Sequence, residues 1–364
     1  MDTSPPPSDS NGSRREGRLR RTVQRGLLRN AHLVERVFAG PLTPQVRTYS
    51  RTVFMWENAT LKRYTCRAPR KYKTPVIIVP PLMANPVIFD LRPGHSMVHT
   101  LLDGGLDTFM LDFGAPTEKD RDITVEDYVT DFIPKAIERV REETGQPGVS
   151  LIGWSMGGIM TMLYGAIYGE KSHLKNAVIL GSPFDYSKMF PLNLLAGAFA
   201  GPTAQIIQRF GNIPGEISRR GFMLVAPLGT VTRWWTLLKN YHDREYVAAW
   251  ESMGDFLNGF LDYPQEAFLQ FLTEFIRDDK LRHKKLFMGG KYVDLEDVLS
   301  SILLFVGTTD KIATPESVSA LAGLVGSKDV TVKHVPVGHI GLVEGSRAPK
   351  HIWTPMTEWL QARS

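Results

Sequence analysis

The stretch Val149-Ser-Leu-Ile-Gly-Trp-Ser-Met-Gly-Gly158 decides the fold of this 364-residue chain. It begins as a short apolar run, passes through a Gly-x-Ser-x-Gly pattern centred on Ser155, and continues into a helical pattern from Gly157. A serine in this pattern lies on a tight, strained turn that exposes its hydroxyl, and the flanking glycines let the turn pack closely. The stretch therefore predicts a nucleophilic serine at the end of a buried strand.

Short apolar strands alternate with helical segments on either side of this turn. One helix is predicted from about Val125 to Glu143. The predicted strands are Val76–Val79, Thr108–Asp112, Val149–Ile152, Ala177–Leu180, Ile302–Val306 and Val330–Val335. Such alternation indicates a mostly parallel sheet with helices on both faces. Together with the serine turn, it predicts the α/β-hydrolase fold.

The alternation is interrupted once, by a long segment that is rich in Trp, Phe, Met and Gly and has no strand pattern. We interpret this segment as a helical cap inserted into the sheet domain, and the N-terminal residues as lying outside that domain. The predicted segments are a disordered tail over residues 1–14, a basic amphipathic helical arm over 15–50, a hydrolase core over 51–184 and 286–364, and a cap over 185–285.

The net charge of +5 is concentrated at the N-terminus, where residues 1–30 contain seven arginines and three acidic residues. The rest of the chain is close to neutral and has no basic patch interleaved with aromatic residues, so nucleic-acid binding is not expected. No stretch is apolar enough for a membrane span or a secretory signal, and Cys66 is the only cysteine. We therefore expect a cytoplasmic protein without a disulfide, a metal or an organic cofactor.

The basic arm carries an apolar stripe at helical spacing, with its arginines largely off the stripe. The stripe consists of Val23, Leu27, Ala31, Val34 and Phe38. A helix of this kind either packs on the body of the protein or binds a membrane or granule surface. In the second case, residues 15–40 hold the protein peripherally on that surface.

A serine hydroxyl needs a histidine as its base and a carboxylate that orients the histidine. In the α/β-hydrolase fold the acid and then the histidine follow the serine, at the carboxyl ends of parallel strands. Asp310 follows the predicted strand Ile302–Val306, and His339 follows Val330–Val335. We therefore predict that Ser155, Asp310 and His339 form a catalytic triad.

Other residues are weaker candidates for these roles. Asp112 also ends a strand and is the main rival acid, but a role in structuring its loop is favoured. His334 lies within a strand and is expected to be packed or to face solvent. Six further histidines have neither a strand-end position nor a suitable carboxylate context; they are His95, His99, His173, His242, His283 and His351.

The oxyanion that develops during acyl transfer needs at least two N–H donors, which this fold takes from the backbone. One donor is expected from Met156, directly after the serine. The other is expected from the loop that begins Pro80-Pro-Leu-Met-Ala-Asn85. Because proline has no N–H, Leu82 and Met83 are the first available donors, and Leu82 is favoured.

Several motifs of the chain resemble the polyhydroxyalkanoate synthase family, over roughly residues 50 to 364. They are Pro80-Pro-Leu-Met-Ala-Asn85, Asp90-Leu-Arg-Pro93, Glu126-Asp-Tyr-Val129, the serine turn at 153–158, Phe287-Met-Gly-Gly-Lys-Tyr-Val-Asp-Leu295, Gly307-Thr-Thr-Asp310 and Gly338-His-Ile-Gly341. The resemblance implies an acyl-CoA substrate and, from the length of the chain, a second synthase-type subunit or a homodimer. Two positions depart from the family: Ser155 replaces its cysteine, and Lys311 follows the acid where histidine is common.

Three functions follow from these observations. The preferred one is a serine hydrolase or acyltransferase that acts on hydroxyacyl or fatty-acyl esters or thioesters, because a serine acyl-enzyme is more stable than a thioester and commonly ends in hydrolysis. The first alternative is a polyhydroxyalkanoate synthase that polymerises 3-hydroxyacyl-CoA with serine in place of cysteine. The second is a non-enzymatic granule- or lipid-surface protein, against which the complete triad argues.

Overall fold

The computed structural model describes residues 23–32, 35, 47–191, 193–194, 201, 205–209, 211–225 and 235–364. Its main element is an eight-stranded sheet in the order β1-β2-β4-β3-β5-β6-β9-β10. The strands are β1 (Ser50–Trp56), β2 (Ala59–Tyr64), β3 (Val76–Val79), β4 (Thr108–Asp112), β5 (Val149–Trp154), β6 (Leu174–Leu180), β9 (Ser301–Gly307) and β10 (Val330–Val335), and a separate hairpin consists of β7 (Phe287–Met288) and β8 (Lys291–Tyr292).

Six strands of the sheet, from β3 to β6 together with β9 and β10, pair in parallel. The hairpin of β1 and β2 joins this set through an antiparallel pairing of β2 with β4. The central strands β3 and β5 are buried along their whole length, as expected where helices cover both faces of a parallel sheet. The predicted α/β-hydrolase fold is therefore confirmed, and all six predicted strands are present.

The helices lie between the strands along the chain. They are α1 (Met97–Asp103), α2 (Val125–Asp127), α3 (Ile133–Thr144), α4 (Met156–Tyr168), α5 (Gly215–Val225), α6 (Arg244–Asn258), α7 (Gln265–Gln270), α8 (Pro315–Ser319) and α9 (Thr354–Gln361). The helix predicted from Val125 corresponds to α2 and α3, which a π-helical turn joins. A capping box between Thr124 and Asp127 begins it, and Gly145 in the left-handed conformation ends it.

The chain forms two compact units. The larger comprises Val46–Val225 and Phe256–Ser364 and contains the whole sheet, and the smaller comprises Met1–Gln45 and Ala226–Asp255. The predicted cap of residues 185–285 contributes to both units. The division into two units does not test the bounds of the cap or of the other predicted segments, so these bounds stay predictions.

Within the smaller unit, residues 23–32 of the predicted arm are helical. His32 Nδ1 lies 3.1 Å from the carbonyl oxygen of Tyr241, and Glu35 forms an ion pair of 2.7 Å with Arg244. The end of this helix therefore packs on the segment around α6.

The apolar stripe of the arm is described only in its first half. Val23 and Leu27 expose 57% and 66% of their surfaces, so the described residues leave most of these two side chains uncovered. Val34, Phe38 and the tail of residues 1–14 lie outside the described residues. Across the described part of the chain, no helix has the length and apolar character needed to cross a membrane.

Candidate active site

Ser155 lies on the turn between β5 and α4, with φ 55° and ψ −122°. A positive φ is costly for a residue with a side chain, so the surroundings must hold this conformation. The Ser155 amide donates to the carbonyl of Leu180 at 3.0 Å, and the Ser155 carbonyl accepts from Ile159 N at 3.2 Å. The half-buried serine is therefore fixed at the carboxyl end of β5, as the sequence predicted.

The glycines of the turn are required by close backbone approaches. A Cβ atom at Gly157 would overlap the carbonyl oxygen of Val79 at the end of β3, and one at Gly153 would overlap Gly158. Gly158 in turn lies against the side chain of Ser182. Larger residues at these positions would push α4 away from the neighbouring strands.

Asp310 and His339 form a buried pair at the carboxyl ends of β9 and β10. His339 Nδ1 donates to Asp310 Oδ2 at 2.7 Å, and the side chains expose only 5% and 0% of their surfaces. Asp310 Oδ1 accepts from the amides of Ile312 and Ala313 at 2.8 and 3.0 Å. The carboxylate is therefore satisfied on one side by backbone donors and directs its other oxygen to the imidazole.

Contacts through β6 bring this pair next to the serine turn. Gly181, directly after β6, lies against both Asp310 and His339, while the preceding Leu180 accepts the Ser155 amide bond. The ring of Trp154, the residue before the serine, lies 5.3 Å from the His339 ring, centroid to centroid. The three predicted triad residues are therefore brought to one edge of the sheet.

The two predicted oxyanion donors lie on neighbouring backbone segments. Met156 is the first residue of α4, so its N–H has no acceptor within the helix. Leu82 is buried in the loop after β3, and Gly157 of the serine turn contacts the start of this loop at Val79 and Pro80. The loop is also held by a bond of 2.9 Å from Leu261 N to the Met83 carbonyl.

Aromatic side chains pack around Trp154, whose ring contacts His339. The Trp154 ring contacts Phe89 edge-on at 6.2 Å and Phe256 at 6.4 Å, and Phe256 contacts Phe260 at 5.5 Å. Phe89 and Phe256 are fully buried. This group of rings suits the hydrocarbon part of an acyl group, and the imidazole beside Trp154 is itself buried.

The rival residues lie in other environments. Asp112 bonds Lys62 at 2.9 Å and accepts from the Gly114 amide at 3.1 Å, so it structures its own loop as favoured from the sequence. His334 is exposed on β10. The model brings neither residue into the Asp310 and His339 pair.

His95 has a role that the sequence did not indicate. It is buried, its Nε2 lies 3.3 Å from Glu344 Oε1, and its ring meets Trp353 edge-on at 4.8 Å. Glu344 lies five positions after His339, so His95 anchors the loop that carries the predicted base. The only sequence signal was its position beside the Asp90-Leu-Arg-Pro93 motif, where Asp90 accepts from Thr48 and Ser96.

No cluster of three or more His, Cys, Asp or Glu side chains suited to a metal ion occurs among the residues that the structure describes.

Comparison with known proteins defines the class of this fold. The α/β-hydrolase fold family matches residues 74–346, which is most of the chain. The chain therefore belongs to the α/β-hydrolase fold family. A soluble variant of monoglyceride lipase from Saccharomyces cerevisiae has the same fold, with a TM-score of 0.53 and 13% identity over 90% of this chain and 100% of the lipase chain.

Within this family the chain is similar to poly(3-hydroxyalkanoate) polymerase subunits, which confirms the resemblance seen in the motifs. The subunit from Haloferax mediterranei is 32% identical over 87% of this chain and 65% of its own length. Those from Haloarcula marismortui and Allochromatium vinosum are 29% and 28% identical over 81% of this chain, and over 62% and 83% of their own lengths. The chain thus spans slightly less than two thirds of the first two relatives. These similarities support an enzyme of the α/β-hydrolase fold family.

Proposed function

We propose that this protein is an acyltransferase of the poly(3-hydroxyalkanoate) polymerase type, with Ser155 as its nucleophile. The similarity to polymerase subunits over 81% to 87% of the chain carries the proposal. The buried Asp310 and His339 pair beside the serine turn supports it, because a serine is a useful nucleophile only next to an oriented base. The substrate is a 3-hydroxyacyl thioester of coenzyme A.

In the first half of the reaction, His339 Nε2 takes the Ser155 proton while the serine oxygen attacks the thioester carbonyl. Asp310 holds Nδ1–H of the imidazole, so the tautomer with a free Nε2 lone pair is favoured. The amides of Met156 and Leu82 stabilise the oxyanion. The C–S bond then breaks, and coenzyme A leaves as a thiol with the proton from His339.

In the second half, the hydroxyl of another 3-hydroxyacyl group attacks the Ser155 ester. His339 takes the proton of this hydroxyl and returns it to the serine oxygen, so the chain grows by one ester bond and Ser155 is restored. The aromatic wall around Trp154 and Phe256 keeps water from competing with the hydroxyl.

Hydrolysis is a second candidate, and Ser155 itself favours it. A serine ester persists longer than a thioester, which gives water activated by His339 more time to attack. The two functions differ only in the acceptor of the acyl group. Measuring the products therefore distinguishes the polymerase from the hydrolase.

The experiment incubates the purified protein with 3-hydroxybutyryl-CoA and measures free thiol, free 3-hydroxybutyrate and insoluble polyester in the same sample. We expect thiol release matched mainly by polyester, with the Ser155→Ala protein inactive in all three assays. Thiol release matched by free acid would favour the hydrolase. Thiol release that persists in Ser155→Ala would contradict both.

The partners belong to this proposal as well. We assign residues 15–40 as the segment that holds the protein on a polyester granule or anionic lipid surface, supported by the exposed Val23 and Leu27 of a basic helix. A second copy or a second synthase-type subunit completes the assembly. Sedimentation of the protein alone, and with such a subunit, measures this assembly directly.

A further inference from the structure

A pocket of about 520 Å³ lies away from the serine turn. Its walls are the residues before β1, the residues after β2 and the loop from Asp90 to Ser96. Because β2 runs antiparallel to β4, its end at Tyr64 lies at the amino ends of the parallel strands. Ser155 lies at the opposite ends, so this pocket is separate from the candidate active site.

Three arginines line the pocket: Arg47, Arg67 and Arg92. In the part of the chain that the structure describes, none of the three forms an ion pair with a carboxylate. Two carboxylates also line the pocket, but both have other partners. Asp90 accepts bonds from Thr48 and Ser96, and Asp103 lies 2.9 Å from His99 Nδ1.

Arg92 adds a more specific observation. Its Nε atom is buried and donates to no acceptor among the described residues. A buried N–H without an acceptor costs free energy, and guanidinium groups pair best with the oxygens of phosphates and carboxylates. The pocket is therefore lined by two exposed arginines and by the half-buried Arg92.

Tyr49 lines the same pocket and exposes 73% of its surface. An exposed aromatic ring beside a phosphate-binding group is suited to stack on a nucleobase. The volume is within the range of sites that hold small molecules. Neither inorganic phosphate nor a simple carboxylate would use the tyrosine.

We propose that this pocket binds a nucleotide carrying two or more phosphates, with the phosphates on Arg47, Arg67 and Arg92 and the base on Tyr49. Two sources share this chemistry: a free nucleotide, and the nucleotide end of coenzyme A. The site does not depend on the proposed polymerase activity, because none of its residues belongs to the serine turn or to the Asp310 and His339 pair.

The test is calorimetric titration of the full-length protein with ADP, free coenzyme A and inorganic pyrophosphate. The variant Arg47→Glu/Arg67→Glu reverses two exposed charges of the pocket. The matched control Lys171→Glu/Lys328→Glu makes the same charge change at two exposed lysines outside it. Equal thermal unfolding midpoints of the two variants establish that both are folded.

We expect the pocket variant to lose at least tenfold in affinity for ADP. The control should stay within about threefold of the affinity of the unmodified protein, because salt screens charges that lie far from the pocket. Tyr49→Ala should weaken ADP binding and leave pyrophosphate binding unchanged. Coenzyme A binding at least tenfold tighter than ADP, and weakened in the pocket variant, identifies the coenzyme as the source; any smaller preference for coenzyme A identifies a free nucleotide. The proposal would be overturned if ADP does not bind at millimolar concentration. It would also be overturned if the pocket variant and the control lose the same affinity for ADP.

Discussion

At the scale of single residues, Ser155 has two features that make a serine reactive toward a mechanism-based probe. Its backbone is held at φ 55° on the turn, and the buried Asp310 and His339 pair lies beside it. We predict that a fluorophosphonate labels Ser155 and no other serine, because only a serine next to its base attacks such a group quickly. Mass spectrometry of the labelled peptides measures this, and His339→Ala should abolish labelling. Labelling that survives in Ser155→Ala would disprove the assignment.

The choice of acid is testable with a matched pair of variants. Asp310→Asn keeps the shape of the side chain but removes the charge that favours the correct imidazole tautomer. We expect a loss of turnover on the order of 10⁴-fold with an unchanged fold. Asp112→Asn makes the same chemical change at the end of β4 and should leave turnover within about threefold, as for a site that only structures a loop. A larger loss in Asp112→Asn than in Asp310→Asn would reverse the assignment.

The sequence predicted these residues because their order and strand-end positions are local properties of the chain. Ser155, Asp310 and His339 each follow a recognisable apolar strand, so a parallel sheet brings them to one edge. His95 lacks such a signal. Its partner Glu344 is far away in sequence, and the pairing depends on how two loops pack, which a residue pattern does not encode.

At the scale of elements, Asp279 lies on the turn after the helical segment that follows α7, at φ 45°. Burial raises the pKa of the Asp279 carboxyl above its ordinary value. The unfolded chain then releases this proton at a lower pH than the folded chain does. The ionised carboxyl therefore lowers the free energy of unfolding at neutral pH.

Asp279→Asn should raise the thermal midpoint at pH 8, and the gain should fade below about pH 3, where the carboxyl is protonated in both the folded and the unfolded chain. Asparagine tolerates positive φ and keeps an acceptor for the Tyr186 amide. Asp278→Asn is the control with the opposite sign, since the bonds from Arg277 lower the pKa of Asp278. Calorimetry at both pH values measures the effect, and a lower midpoint for Asp279→Asn at pH 8 would contradict it.

The elements themselves were predictable where burial is complete. Five of the six parallel strands contain continuous apolar runs, whereas β10 mixes polar and apolar residues. The structure lengthens some predicted strands, as in β6, which begins at Leu174 instead of Ala177. The hairpin of β1 and β2 is not predicted because its strands mix exposed, half-buried and buried side chains. Its sequence therefore alternates polar and apolar residues irregularly, and a bulge between Thr52 and Phe54 breaks the alternation.

At the scale of the whole molecule, the proposed binding of the basic helix of residues 23–32 to a surface can be tested through its exposed apolar residues. Val23→Glu/Leu27→Glu places two charges on its exposed apolar face. We expect this variant to lose binding to vesicles with anionic lipid while its turnover on soluble substrate is unchanged, and added salt should weaken binding of the unmodified protein. Vesicle co-sedimentation measures both effects.

The matched control for the arm is Tyr292→Glu/Leu299→Glu, which changes two equally exposed apolar residues of the larger unit. This control should bind vesicles like the unmodified protein. Equal losses in the two variants would show that general surface charge, and not the arm, governs binding.

The nucleophilic atom of residue 155, oxygen or sulfur, also determines which step of the reaction becomes irreversible. When a serine takes the acyl group from coenzyme A, a thioester becomes an oxygen ester, and the free energy falls in this first step. A cysteine at the same position would form another thioester, so that step would be close to equilibrium. The later transfer to a hydroxyl would then carry the loss of free energy.

Ser155→Cys should therefore make acylation reversible. We expect the unmodified protein, mixed with 3-hydroxybutyryl-CoA and then with excess coenzyme A, to keep its acyl group on Ser155. The cysteine variant should return the acyl group to coenzyme A and show less acyl-enzyme at steady state, because a thiolate is the better leaving group. Intact-protein mass spectrometry after rapid quenching measures the acylated fraction, with Ser155→Ala as the unacylated control. Rapid loss of the acyl group from the serine protein on addition of coenzyme A would contradict this prediction, because it would show that acylation of Ser155 is reversible.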